Sequence, residues 1–240
     1  MTLPGTAFLA LWNERAATRD DYDVWHTREH VPERLTVPGI LAGQRYADGD
    51  GPLPSYFTLY PLRDLDVLKS PQYLAVVEQP TSWSLSMRPA MSHWYRRGCD
   101  TRFSLGGGTG GCLAAILLSG SPTDAQVRDS FLKVSDLTAF CGLHLGQVCE
   151  VPALPFADNA PAHLPDADAV LLVEGFDWNA LGAALPELDG LVREAGYQPL
   201  LGWTRYRLAY AIDDTDRGSL FALDADALSQ RAQGELDDCA

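Results

Sequence analysis

The sequence predicts an α+β fold: two tandem βαββαβ halves that pack sheet to sheet into one barrel within a single chain. Three observations predict it. The order of strand-like and helix-like segments ahead of a central glycine-rich run is repeated behind it. The run itself, "LGGGTGG" at 105–111, leads into a strand rather than a helix, and several strands carry apolar residues at both parities. Period-two and period-3.6 patterning separates strands from helices throughout.

In the first half, "TAFLALWNE" is strand-like and "RDDYDVWHTREHVPERL" helix-like, with Pro32 close to its end. "ILAGQRYADG" and "PSYFTLYPLR" follow as two strands about a Gly/Pro turn, then a helical "DLDVLKSPQYLAVVE" and a last strand around "MSHWYRRGC". The second half runs in the same order. "GCLAAILLSG" is its first strand and "SPTDAQVRDSFLKVSDL" its first helix, opened by Ser121 and Pro122, residue types favoured at N-cap and N1. "CGLHLGQVCEV" and "ADAVLLVEGFDW" are strands, "NALGAALPELDGLVREAG" a helix and "PLLGWTRYRLAYAI" the closing strand. Each half therefore has the ferredoxin-like split βαβ pattern, an antiparallel sheet with both helices on one face.

Such a sheet leaves its other face uncovered. Phe8, Ala10 and Trp12 alternate with Leu9 and Leu11, and Tyr56, Thr58 and Tyr60 with Phe57 and Leu59. Both faces are thus expected to be buried, which the two halves achieve by packing on each other. The expected organisation is a first ferredoxin-like repeat at 1–105, a linker at 106–111, a second repeat at 112–213 and an acidic tail at 214–240. A phosphate cradle would need the glycines to open a helix, and "CLAAILL" reads as a strand. In the tail, Leu220, Phe221, Leu223 and Leu228 leave two readings open, a short docking element or a frayed end.

Composition excludes several classes. With 46% hydrophobic and 21% charged residues, the 240-residue chain has the means to bury a real core. Mean hydropathy near zero, without an apolar run of about 18 residues, argues against a membrane span. The start, "MTLPGTAFLALWNE", lacks a basic n-region and is not expected to be a secretory signal. A net charge of -14 repels phosphate backbones and anionic membranes, so neither nucleic acid nor membrane is an expected partner. Cys99, Cys112, Cys141, Cys149 and Cys239 are odd in number and form no C-x-x-C pair; they read as reduced thiols of a cytoplasmic protein.

The densest polar cluster is His26-Thr27-Arg28-Glu29-His30, which spells the H-x-x-E-H of a zinc peptidase helix. Two imidazoles four apart share a helix face. Zinc needs at least one more protein ligand. Glu78 is a candidate by residue type alone, and Pro32 ends the helix within about a turn, so no metal is expected.

The runs "DYDVWHTREHVPERLTVPGILAGQRY" and "PSYFTLYPLRDLDVLKSPQYLAVVEQPTSWSLSM" resemble the EthD-like branch of the dimeric α+β barrel superfamily. Members carry an aromatic-x-x-E-H-[V/L]-P-E-R-like helix end, a P-G that starts strand two, an R-Y on that strand, and "Y-x-x-L-Y-x-L" before "D-x-x-x-L-x-S-x-x-Y". The likeness is specific in the first half and nearly absent from the second. It implies an intrachain dimeric α+β barrel with a ligand cavity between sheet and helices, near the end of the first helix, and places His30 at the cavity mouth. Relatives include cofactor-free monooxygenases, cyclases and lactone isomerases acting on aromatic or polyketide-like compounds, accessory proteins of degradation pathways, and haem-binding branches.

The catalytic candidates are His30, His26 and Glu29. His30 has the pKa range for proton transfer near neutrality; a cap on carbonyls at a helix C-terminus is its structural alternative. His26 reads more readily as a solvated or locally paired histidine, and Glu29 as an ion-pair partner of Arg34 or Arg45. Arg45 and Tyr46 point to opposite faces of their strand, and Arg45 either binds a substrate oxygen or pairs with Glu29. The substrate-binding candidates are Trp25, Arg45, Tyr46, Tyr60, Trp83 and His93, with Trp25, Tyr60 and Trp83 as walls for a flat apolar molecule. His144 and His163 show no partner in the sequence.

The expected function is a site for a small hydrophobic or aromatic ligand, working without cofactor or metal by proton transfer, cyclisation, isomerisation or cofactor-free oxidation. A non-catalytic accessory protein and a haem-binding protein are the alternatives. Either a monomer with an internal pseudo-dimer or a homodimer is compatible with this reading.

Overall fold

The computed structural model describes residues 3–15, 21–137, 139–154 and 163–213. The tail expected at 214–240, with its apolar residues, lies outside the described residues. The strands are β1 (Ala7–Arg15), β2 (Ala42–Asp50), β3 (Tyr56–Leu62), β4 (Met91–Gly106), β5 (Cys112–Ser119), β6 (Phe140–Cys149), β7 (Ala169–Gly175), β8 (Gln198–Pro199) and β9 (Thr204–Asp213). Hydrogen bonding runs β7-β6-β4-β1-β3-β2-β9-β5, and β5 pairs back to β7. Eight antiparallel strands therefore close on themselves, and β8 adds only a two-residue pairing to β5.

Strands of the first half lie in the order β4-β1-β3-β2 and those of the second in the order β6-β7-β5-β9. Two seams join them. At one, β4 pairs β6 from Gly98–Cys149 to Gly106–Gly142; at the other, β2 pairs β9 from Ala42–Asp213 to Asp50–Arg205. Closure removes the unpaired edges that an open sheet would expose.

An eight-stranded barrel has an interior just wide enough for side chains to fill. Here it is filled from both halves. Phe8, Trp12, Tyr46 and Phe57 meet Leu113, Leu117, Val170, Leu172 and Tyr206 in one core. Trp12 and Phe57 have ring centroids 4.7 Å apart, and Phe57 and Tyr206 5.7 Å. Both strand faces are buried, as the two-parity pattern predicts: Leu9, Tyr60 and Leu62 belong to a separate core under the first-half helices.

The helices lie outside the barrel. The first half has α1 (Tyr22–Trp25), a π-helical turn His26–His30, α2 (Val31–Leu35), α3 (Pro71–Glu78) and α4 (Ser82–Met87); the second has α5 (Asp124–Phe131) and α6 (Trp178–Glu194). Four elements differ from the sequence reading. The first helix is not a uniform α-helix: the Val31 N–H bonds the His26 carbonyl, five residues back. Pro32 has no N–H for the carbonyl four residues before it and crowds that carbonyl, and a widened turn ahead of the proline relieves both.

The segment expected as one helix over "DLDVLKSPQYLAVVE" is a 3-10 turn, Leu65–Lys69, then α3, because extended Ser70 breaks the run and caps the new helix from its hydroxyl. α4 follows, unanticipated, capped by Thr81. In the second half Thr123, not Ser121, is the N-cap: Thr123 and Gln126 form a reciprocal capping box that satisfies two backbone donors at the helix start.

Gly146 on β6 marks how tightly the interior is filled. A Cβ there would lie 2.3 Å from Phe8 Cζ and 2.5 Å from Cys99 Cβ. Gly146→Ala is therefore expected to destabilise the fold by about 1 to 3 kcal/mol through overpacking, measured as a lower urea midpoint at unchanged m-value.

Candidate functional site

The first helix crosses the outer face of the first-half sheet, and Gly43 on β2 lets it approach. A Cβ at Gly43 would sit 2.4 Å from Val31 Cγ1. The π-helical turn presents His26 and His30 together toward the sheet, with ring centroids 5.0 Å apart. Trp25 stacks on His30 at 4.6 Å, and Tyr22 meets both Trp25 and His26. Both imidazoles are buried, at 2% and 8% exposure, and their Nδ1 atoms have no hydrogen-bond partner among the described residues. The Tyr60 hydroxyl, on the same side of the sheet, is buried and unpaired as well. Arg45 Nε and Asn13 Oδ1, which reach the first helix from the same face, are buried and unpaired too; since most buried polar groups in native proteins are partnered, this concentration marks that side of the sheet out.

Burial pushes both imidazoles well below their ordinary pKa, and positive neighbours push the same way: Arg34, His26 and Arg88 for His30, Arg45 and Arg34 for His26. Each is a neutral base at pH 7. Arg34 is 9% exposed and paired to Glu33 at 3.2 Å; Glu33 is itself raised by burial.

Glu29 does not pair with Arg34 or Arg45. Its Oε1 accepts from Trp25 Nε1 (3.1 Å), Thr81 Oγ1 (2.5 Å) and Ser84 Oγ (2.8 Å), so the carboxylate ties α4 to the first helix and holds the Trp25 ring. The Thr81 hydroxyl also accepts from Ser84 N and so caps the helix that it tethers. Arg45 pairs with Asp23, one turn before Thr27, and lies 5.9 and 5.6 Å from the Tyr22 and Tyr56 rings. Its charge is thereby taken up locally.

Of the other sequence-derived candidates, Trp83 on α4 packs partly buried against the cluster of Leu11, Tyr22, Trp25, Met87, Met91 and Trp94. Tyr46 does not join them: the pleat sends it into the barrel interior beside Phe57. His93 is exposed, in a left-handed conformation (φ 53°), bonded to Ser92 Oγ, and lines a cleft of about 350 Å³ with Glu14 and His163. A C-terminal cap is not the role of His30, because the helix runs on to Leu35.

His144 has partners that the sequence hides. Its Nδ1 meets Ser104 Oγ at 2.8 Å and its Nε2 meets Glu174 Oε1 at 3.4 Å, while Glu174 Oε2 accepts from Gly110 N at 2.7 Å. Those contacts link β4, β6, β7 and the glycine-rich segment. Only the pairing of β6 between β4 and β7 brings them together, so no local signal in the sequence could have found them. Arg34 and the Thr81/Ser84 pair were also missed, though "TSWSLS" carries a helix-start pattern.

Glu78 is exposed at the end of α3, and among the described residues no three His, Cys, Asp or Glu are grouped to hold a metal ion. His26 and His30 are covered by each other and by the rings of Tyr22 and Trp25, so a ligand of any kind reaches their nitrogens only if that cover moves. Cys99, Cys112, Cys141 and Cys149 are free thiols. Among the described residues no helix is long and apolar enough to cross a membrane.

No protein-family model matches the chain, and no curated protein matches it in sequence. Solved structures do match in fold. An anthrone oxidase-like protein superposes with a TM-score of 0.63 at 8% identity, over 90% of this chain and 97% of the other. A candidate monooxygenase from Lactobacillus acidophilus NCFM gives 0.51 at 7% identity, over 87% and 97%. The fold is an α+β barrel of the kind these proteins share.

Two outcomes follow from this geometry. Unfolding frees both imidazoles to titrate near 6.5, so below that pH the unfolded chain binds protons that the folded chain refuses. Stability is then complete above about pH 6.5 and falls as pH drops below it, by up to ~1.4 kcal/mol per pH unit per histidine. Urea titrations between pH 7.5 and 5, with His30→Gln giving a shallower slope, check this. Glu29→Leu leaves the Thr81 and Ser84 hydroxyls without their acceptor and Trp25 Nε1 with only Ser84 Oγ, and is expected to cost roughly 3 kcal/mol, and Glu29→Gln, which keeps an acceptor oxygen, less; thermal melts and Trp25 fluorescence distinguish them.

Proposed function

We propose that the protein binds a flat, weakly acidic aromatic molecule between the first helix and the outer face of the first-half sheet, and that His30 removes its proton. The observation that carries this reading is the pair of buried neutral imidazoles with unpaired Nδ1 atoms beside Arg34. A neutral base next to a guanidinium is what the formation of an enolate or phenolate requires: one takes the proton, the other stabilises the charge that appears on oxygen. Trp25, Tyr60 and Trp83 supply the apolar walls, and α4, latched by Glu29, is the wall that gives way to admit the ligand.

The names of two fold neighbours, an anthrone oxidase-like protein and a candidate monooxygenase, suggest oxidation as the reaction class, and the EthD-like motif around His30 is in keeping with a cofactor-independent one. For an anthrone-type ketone the balance is complete. His30 takes a proton from the ring methylene, the electron pair moves to the ketone oxygen facing Arg34, and dioxygen adds at the methylene carbon. The peroxide takes back the proton held by His30, the O–O bond breaks as the same carbon gives up its second hydrogen, and one oxygen atom stays there as a carbonyl while the other leaves as water with both methylene hydrogens.

The same reading takes the chain as two ferredoxin-like repeats, 1–105 and 112–213, joined by 106–111. The matching strand orders of the two halves support it.

Anthrone in air is the test substrate, with anthraquinone formation followed by absorbance and an argon control. The expected result is saturable oxidation that His30→Gln reduces about 100-fold or more while the melting temperature at pH 7.5 stays close to that of the parent. Anthrone that binds without oxidation identifies a non-catalytic carrier and sinks the enzyme reading; neither binding nor oxidation sinks both.

A further inference from the structure

We infer a second ligand site, for a small aromatic monocarboxylate, where the barrel seam opens beside Trp94, Arg96 and Arg97. It does not depend on the His30 reading. β4 pairs with β6 only from Gly98 onward, so residues 94–97 form a strand edge that β6 has left. There the chain after β6 turns away and borders an open cleft of about 450 Å³, within the ordinary range for small-molecule sites. Val148, Val151 and Leu154 form its apolar side, and Trp94, 9% exposed, its aromatic wall.

The two arginines explain why the ligand should be an anion. Adjacent strand residues point to opposite faces, but at an open edge both can reach round to one cleft, and both line this one. Arg96 is half-buried and has no carboxylate partner among the described residues. Its Nη atoms donate to the Pro152 carbonyl (2.9 Å) and the Tyr73 hydroxyl (3.2 Å), and its Nε is buried and unpaired. A half-buried guanidinium met only by neutral groups favours an incoming anion.

Arg97 is held in place, with its guanidinium 3.9 Å from the Tyr95 ring centroid and Nη1 on the Arg96 carbonyl (3.0 Å). Its acidic partner, Asp166 at 3.1 Å, has a fully exposed side chain. Exposed ion pairs of this kind contribute little. A ligand carboxylate can therefore replace Asp166 on Arg97 at small cost.

The other charges set the class. Glu150 and Asp166 also line the cleft, so a second negative charge on the ligand meets repulsion, and phosphates and dicarboxylates are disfavoured. One carboxylate on Arg97 and a ring against Trp94 satisfy the charged and the aromatic halves of the site together.

The probe is 2-naphthoate, with neutral 2-naphthalenemethanol and naphthalene-2,6-dicarboxylate as controls, titrated into the full chain. The indole N–H signals of the six tryptophans are followed by NMR, with Trp94 assigned from Trp94→Phe. The expected result is a saturable shift of the Trp94 signal by 2-naphthoate, binding at least about ten-fold weaker for both controls, and about ten-fold weaker naphthoate binding in Arg97→Gln with the alcohol unaffected. His30→Gln leaves these affinities unchanged. Equal binding of acid and alcohol, tight binding of the dicarboxylate, an unaltered affinity in a folded Arg97→Gln, or a shift confined to other tryptophans would each overturn the assignment.

Discussion

Closure of eight strands within one chain is the constraint on which the rest depends. Once β5 pairs back to β7 and the seams β4–β6 and β2–β9 are made, the interior has a fixed width, and here Phe8, Trp12, Tyr46, Phe57 and Tyr206 fill it. Gly146 is held to a hydrogen because Phe8 and Cys99 occupy the space that a side chain would need. Ligand chemistry is thereby displaced to the outer faces, between sheet and helices, or to places where a seam opens.

The two halves use those outer faces differently. In the second half α6 is a 17-residue helix, and with α5 it covers an almost wholly apolar core. In the first half the helical cover is broken into short pieces, and the material beneath it includes His26, His30, Glu29, Arg34 and Arg45, all buried. Burying such groups costs free energy unless they are partnered. Glu29 and Arg45 are partnered, whereas the Nδ1 atoms of both histidines are not, and burial together with the neighbouring arginines keeps the imidazoles uncharged. Pro32 contributes by imposing the widened turn that sets both rings toward the sheet. The asymmetry between halves is thus written in a few residues rather than in topology.

The element order was legible because strand and helix periods differ and each is local: the strands expected around "TAFLALWNE", "CLAAILL" and "ADAVLLVEG" are strands. The buried character of both strand faces was legible from parity alone. Less legible were helix starts where several capping residues compete, as at Ser121 and Thr123, and helices broken by an extended residue such as Ser70. The clustering of His26, His30, Trp25 and Glu29 followed from their spacing, but the partners of Glu29 did not. Thr81 and Ser84 lie more than fifty residues away in sequence, on a helix that the pattern did not reveal.

By itself the sequence determined the order of elements, the two-sided burial of the strands and the presence of two imidazoles on one helical turn. These follow from local periodicity and spacing. Tertiary structure alone decided that Tyr46 faces the interior and Trp83 the cluster around Tyr22 and Trp25, that Arg45 answers Asp23, that His144 meets Ser104 and Glu174, and that Arg96 and Arg97 share a cleft. Each depends on which strands become neighbours, and pairing between distant segments leaves no mark on the residues that lie between them.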